Sequence, residues 1–188
     1  MPPKVKVTKE KIVETAIALV RQSGAASVNA RSLASALNCS TQPIFSNFAT
    51  MEELQDAMVV AAYDLYLAFL QSEAERGTYL PYKAFGMAYV RFAEEERELF
   101  KLLFMRDRRG AARVPTTDFE ASVAMIMEAN GIAREKAERM HFEMWACVHG
   151  IATMLATSFM SFRREEISGM LTDVYQGLRA RHGKEAEG

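Results

Sequence analysis

Six cations crowd the first 31 residues of this 188-residue chain: Lys4, Lys6, Lys9, Lys11, Arg21 and Arg31, against only Glu10 and Glu14. Residues 1–50 carry +4 of a whole-chain charge of −1, leaving −5 for the rest. Cations gathered at one end of an otherwise acidic chain suit phosphate contact at that end, while a uniformly basic nucleic-acid binder is excluded. The plainer alternative is a solvated lysine tail. Other residues with chemistry to offer are few. Glu138-x-x-His141 matches half of a motif that holds paired metal ions in helical bundles. The other half is missing, because Ala146 stands three before His149 and Arg179 three before His182. His141 and His149 fall about 12 Å apart along a helix, too far for one metal ion. Both are expected to be hydrogen-bonded histidines at helix-packing surfaces. Cys39 and Cys147 make no Cys-x-x-Cys pair, so neither a disulfide scaffold nor a structural zinc site is expected. Glu94-Glu95-Glu96 reads as a solvated charge run. There is no glycine-rich phosphate loop, serine elbow or paired-carboxylate setting. The chain is expected to be no enzyme and to need no cofactor or metal.

These residues need elements to hold them. Hydrophobic residues make up 49% of the chain, with ten Gly and five Pro, which suits a packed core and argues against an all-β fold. Thr8 is the expected N-cap of a helix over 8–23, with Ile12, Ala16, Leu19 and Val20 as its apolar stripe and Gly24 as its end. Asn29 is expected to cap a helix over 30–37, and Asn38 to take the left-handed conformation that ends it. Ser40 is the expected cap of a short helix over 41–47. Pro43 is tolerable in its first turn, Ile44 and Phe48 face inward, and Phe45 lies partly inward. Two short helices joined by a tight turn make a helix-turn-helix.

Thr50 opens a longer helix over 51–76 with Leu54, Met58, Ala61, Ala62, Leu65 and Phe69 inward. Pro81 opens another to Glu95, and Glu98–Met105 reads as a buried helix. After a polar loop over 106–115, helices are expected over 116–130, 133–161 and 163–181. No strand alternation or repeat interrupts this, so the fold class is all-α with about nine helices. The expected division is a helix-turn-helix domain over 1–50 and a helical effector-binding and dimerisation domain over 51–188. The N-terminus has no apolar signal core, and no apolar run reaches the roughly 18 residues of a membrane span, so a cytoplasmic protein is expected.

The head resembles that of the tetracycline-repressor (TetR) family of transcription regulators. The resemblance rests on the run from Ile12 to Gly24, on Asn29-Ala-Arg-Ser-Leu-Ala, on Ser40-Thr-Gln-Pro-Ile-Phe-Ser-Asn-Phe48 and on Met51-Glu-Glu-Leu54. It implies that the helix over 41–47 enters the major groove of duplex DNA. Ser40, Thr41, Gln42, Ser46 and Asn47 would then lie at or near the bases, with Gln42 suited to a bidentate bond with adenine. Arg31 would take a backbone phosphate, and Lys4, Lys6 and Lys9 phosphate or minor-groove contacts. Two departures stand out. Phe45 replaces a tyrosine whose hydroxyl bonds phosphate in the family, and Met51 replaces a common lysine.

Further along, Ala88-Tyr89-Val-Arg-Phe92, Glu98-Leu-Phe100, Leu103-Phe-Met105 and Trp145-Ala-Cys-Val-His149-Gly150 resemble the effector domain of one TetR subgroup. This implies an apolar ligand pocket, for which Met87, Phe92, Phe104, Phe119, Met127, Met144, Trp145 and His149 are the candidates. Plain core filling is the alternative for each of them. It also implies a homodimer built on the last two helices, through Val148, Ile151, Ala152, Leu155, Ile167, Leu171, Val174 and Leu178. The reading is a ligand-responsive regulator, a repressor released from a near-palindromic operator by a small apolar or amphipathic effector. Two rivals stand beside it: a helical protein-interaction module whose helix-turn-helix is only structural, and a metal- or cofactor-carrying helical bundle.

Overall fold

The computed structural model describes residues 7–106 and 117–183, with the side chains of 117 and 118 excepted. Lys4, Lys6 and most of the polar loop expected over 106–115 lie outside the described residues. Nine α-helices and one 3-10 turn make up the described chain, with no strand among them. They are α1 (Lys9–Ser23), α2 (Ala30–Ala36), α3 (Gln42–Asn47), α4 (Met51–Glu75), α5 (Pro81–Glu95), α6 (Arg97–Phe104), α7 (Thr117–Asn130), α8 (Arg134–Ala156) and α9 (Arg164–His182). No described helix is long and apolar enough to cross a membrane. Packing separates the described chain into two compact units, one of residues 7–67 with 96–106, the other of 68–95 with 117–183.

In the first unit, local chemistry sets most boundaries. Thr8 caps α1 by accepting from the Lys11 amide, and Gly24 ends it at φ 79°. Asn29 makes a capping box with Ser32 at the start of α2. Asn38 sits at φ 51° beyond its end, and the amides of Asn38 and Cys39 return to the carbonyls of Ser35 and Ala34. That pair of bonds satisfies two carbonyls the helix would otherwise leave open. The α1 stripe is Ile12, Ala16, Ile17 and Val20, with Ile17 buried where the sequence pattern favoured Leu19. Leu33, Ala34, Ile44 and Phe48 close the core of the helix-turn-helix. Thr50 caps α4 through the Glu53 amide. The buried line of α4 runs Leu54, Met58, Ala62, Tyr66, Leu70, while Leu65, expected inward, is exposed.

α6 packs on α1. Leu99, Phe100, Leu102 and Leu103 are buried, and Phe104 meets Tyr66 edge-on at 5.3 Å. The Arg21 guanidinium donates to both oxygens of Glu96, at 2.9 and 2.7 Å. Gly24 is held close to α6, since a Cβ there would meet the Glu98 carboxylate at 2.9 Å. The unit containing the helix-turn-helix thus takes in the first part of α4 and all of α6, residues that a single cut after residue 50 assigns to the body. Of the charge run over 94–96, Glu94 and Glu95 are exposed, with Glu95 paired to Arg91, and Glu96 is half-buried against Arg21.

In the second unit, α8 packs against α5, α7 and α9. α5 and α8 run in the same direction: Tyr82 pairs with His141, and seven residues later Tyr89 pairs with His149. Gly86 lets α9 and α8 close on α5, because a Cβ would sit 3.3 Å from Leu171 and 3.6 Å from Val148. Polar ties hold α9 in place: Lys83 to Thr172 at 2.7 Å, Asn130 to Tyr175 at 2.9 Å and Glu143 to His182 at 3.0 Å. α8 stops at Ala156, five residues before the expected end at 161. Ser158 takes φ 56°, and the Ser158 and Phe159 amides return to Leu155 and Met154. A left-handed serine is costlier than glycine there, which is why the stop carries no strong sequence signal.

Candidate nucleic-acid interface

α3 is six residues long and anchored on one side only. Ile44 and Phe48 are fully buried, four residues apart on its inner face. Its first helical residue is Gln42, its N-cap is Thr41, and no side chain caps it. Ser40 is therefore not the cap; it is exposed and precedes the helix by two residues. Pro43 falls at the second helical position, where its missing N–H removes a donor that lacked an intrahelical partner in any case.

The outward face carries Gln42, Phe45 and Ser46, all exposed, with Thr41 half-buried beside them. The Gln42 amide and the Arg31 guanidinium bond to no described residue, leaving both available. Ser46 Oγ donates back to the Gln42 carbonyl at 2.9 Å. Asn47 belongs to the structure rather than to the outward face. It is half-buried, and its Nδ2 donates to the carbonyls of Pro43 at 2.7 Å and Val7 at 3.3 Å, tying α3 to the segment before α1. Lys9 is engaged too, with Nζ 2.9 Å from Glu53 and 4.6 Å above the Phe48 ring. Phe45, expected partly inward, is 51% exposed. Ile44 and Phe48 already occupy the inner side of α3.

The candidate pocket residues are divided between the two units. Phe104 belongs to the first unit, against Tyr66 and Phe100. Phe92 is buried edge-on to Phe69 at 5.5 Å. Phe119 and Met127 pack on the cluster of Val123, Ile126, Ala137 and Met140. Phe119 also meets the His141 ring edge-on at 5.2 Å. Met87 and Met144 are buried. Trp145 faces outward and stacks on His149 at 4.9 Å and 12°. What the sequence did not disclose is the pair of tyrosine–histidine bonds across α5 and α8, Tyr82 to His141 at 3.1 Å and Tyr89 to His149 at 2.9 Å. Partners about 60 residues apart leave no local pattern. Desolvation drives the Tyr82 hydroxyl well above the ordinary tyrosine range.

Burial pushes the His149 imidazole below its ordinary value of 6.5. A neutral ring protonated on Nε2 accepts the Tyr89 hydroxyl at Nδ1; a protonated ring cannot. The unfolded chain then takes up the proton more readily than the folded one. The stability this contributes is complete above about pH 6.5 and is lost as pH falls toward the lowered folded value. His149→Gln is expected to show a smaller fall in melting temperature than the wild type between about pH 7.5 and about pH 5. Equal falls in both proteins would remove His149 as the source.

The residues named for dimerisation point the other way. Val148, Ile151, Ala152, Leu155, Ile167 and Leu171 are buried within the chain itself, and Leu178 packs on the α7–α8 cluster. Val174 is half-buried. The apolar α8 stripe faces α5 and α9. The opposite face of α8 carries Phe142 at 63% and Trp145 at 42% exposure, with Ala146 and Gly150 also exposed. Among the described residues, no group of three or more His, Cys, Asp or Glu is placed to hold a metal ion.

Residues 82–175, half of the chain, match the family described as tetracyclin repressor-like, C-terminal domain. The chain belongs to the tetracycline-repressor family. Two solved structures share its fold. One is a protein of unknown function from Rhodococcus sp. RHA1, 21% identical, covering 95% of this chain and 99% of that one with a TM-score of 0.74. The other is a glutamine-to-alanine variant of TetR from Acinetobacter baumannii AYE in complex with minocycline, 16% identical, covering 95% and 96% with a TM-score of 0.56. No curated protein matches the chain. As a TetR-family member it is a ligand-responsive transcriptional regulator and not an enzyme.

Proposed function

We propose that the chain is a cytoplasmic, homodimeric repressor that leaves a near-palindromic operator when a small apolar or amphipathic effector binds its second unit. The observation that carries this reading is the outward face of α3, where Gln42 and Ser46 are exposed while Ile44 and Phe48 anchor the helix from behind. Arg31, exposed in the first turn of α2, supplies a phosphate contact. The effector would be oriented by the polar pairs Tyr82–His141 and Tyr89–His149 that link α5 and α8, with apolar side chains of the second unit, such as Phe119 against His141, supplying the contact area. It can release DNA only by binding the released state more tightly. The dimer contact is assigned to the outer α8 face of Phe142 and Trp145. Two-fold symmetry of such a dimer matches an operator of two half-sites.

Fluorescence anisotropy with duplex DNA at several salt concentrations tests this. Binding is expected to weaken steeply with salt, and Arg31→Ala to reduce the salt slope by about one. Gln42→Ala is expected to cost about 1–3 kcal/mol on the selected site and to leave the slope unchanged. A helix-turn-helix with only a structural role predicts no salt-dependent binding, and that result would sink the reading.

A further inference from the structure

Phe45 is the one large apolar side chain exposed among the described residues of α1, α2 and α3. Its surroundings make it unusual. Gln42 and Ser46, polar and exposed, lie three residues before it and one after. At about 100° per residue, Phe45 projects about 60° from Gln42 around the α3 axis, on the shoulder of the same face. The ring does not fold inward, because the inner face is filled by Ile44 and Phe48, both essentially inaccessible. A phenyl ring has no hydrogen-bonding group, so it adds nothing to a phosphate or to the polar edge of a base. Left in water it gains nothing; against an apolar partner it gains in proportion to the area covered.

We infer that Phe45 reads the 5-methyl group of a thymine in the operator. This rests on the base-reading role of α3 proposed above. The major groove offers one apolar feature on its base edges, the thymine methyl. Along α3, Phe45 stands about 4.5 Å from Gln42, against about 3.4 Å between stacked base pairs. The thymine therefore lies one or two base pairs from the pair that Gln42 reads. Gln42 supplies the hydrogen bonds and Phe45 the apolar contact, so a short helix specifies two neighbouring positions by different chemistry.

The test is selection of bound sequences from a randomised duplex pool by the purified full chain, its Phe45→Ala variant and its Gln42→Ala variant, followed by affinities on the selected duplex. The wild type is expected to select a thymine one or two base pairs from the position that Gln42→Ala relaxes, and Phe45→Ala to lose that preference. Replacing that thymine by deoxyuridine, which removes only the methyl, is expected to weaken the wild type about fourfold, the factor for one buried methyl-sized group. It should leave Phe45→Ala unaffected. Phe45→Leu, which keeps an apolar side chain, should retain part of the discrimination. Circular dichroism is expected to match across variants, since the replaced ring is on the surface. If deoxyuridine has no effect on the wild type, or if Phe45→Ala weakens every duplex by one factor while the Gln42-dependent position survives, the inference fails and the base-reading role stands. If no Gln42-dependent position is selected at all, both fall.

Discussion

Phe100→Ala is expected to destabilise the unit that holds the helix-turn-helix by about 3–5 kcal/mol, the cost of emptying a fully buried aromatic site. Phe100 is wholly inaccessible, 5.1 Å ring to ring from Phe104, on a helix that packs on α1. Whole domains are stable by only about 5–15 kcal/mol, so this is a large fraction. The effect should be local. Amide exchange in α1, from Ile12 to Val20, should accelerate strongly in the variant, while α8 amides around Met140 to Ile151 should change much less. The residue is distant in sequence from every side chain assigned to DNA, so lost duplex binding at raised temperature would report unfolding and not a lost contact. Equal acceleration in α8, or none in α1, would show that α6 does not belong with α1 energetically.

The second large effect concerns assembly. In the homodimer proposed above, Trp145→Glu is expected to raise the dissociation constant by about 30-fold or more, since a tryptophan at the centre of an interface is commonly worth at least about 2 kcal/mol. Trp145 lies between Phe142, 6.2 Å away at 28°, and His149, 4.9 Å away at 12°, so an outward ladder of three flat rings would be broken and a charge placed in it. Sedimentation equilibrium reads the constant, and unchanged helical content excludes unfolding. Val148→Glu serves as the contrast. Val148 is buried against α5, so a charge there should unfold the second unit rather than yield a folded monomer. Should Trp145→Glu remain as dimeric as the wild type, the outer α8 face is not the contact. On an operator with two half-sites, a folded monomer should bind far more weakly than the dimer, because each half-site must then be held separately.

Much of this molecule was legible in the chain because much of it is local. Thr8, Asn29, Asn38 and Thr50 each set a helix end through bonds to residues within five positions, and sequence displays such signals directly. The spacing of Ile12, Ala16 and Val20, or of Ile44 and Phe48, states which side of a helix avoids water. From those signals came nine helices and a helix-turn-helix with an exposed Gln42. Where a weak signal meets a competing geometry, sequence is a poorer guide. Ser40 suits a cap but stands one residue too early, and Asn47, expected near the bases, donates to the carbonyls of Pro43 and of the distant Val7.

Periodicity says that a face is apolar and says nothing about what covers it. Val148, Ile151 and Leu155 form a stripe that suits a partner subunit or the chain's own α5 and α9 equally well, and only the tertiary packing chose the latter. The same holds for α6, a buried helix in any reading, which packing places with α1 through Arg21 and Glu96, 75 residues apart. Contacts across such separations are settled by which surfaces fit in three dimensions. That is also why the tyrosine–histidine pairs of α5 and α8, and the outward turn of Phe45, became visible only in the folded chain.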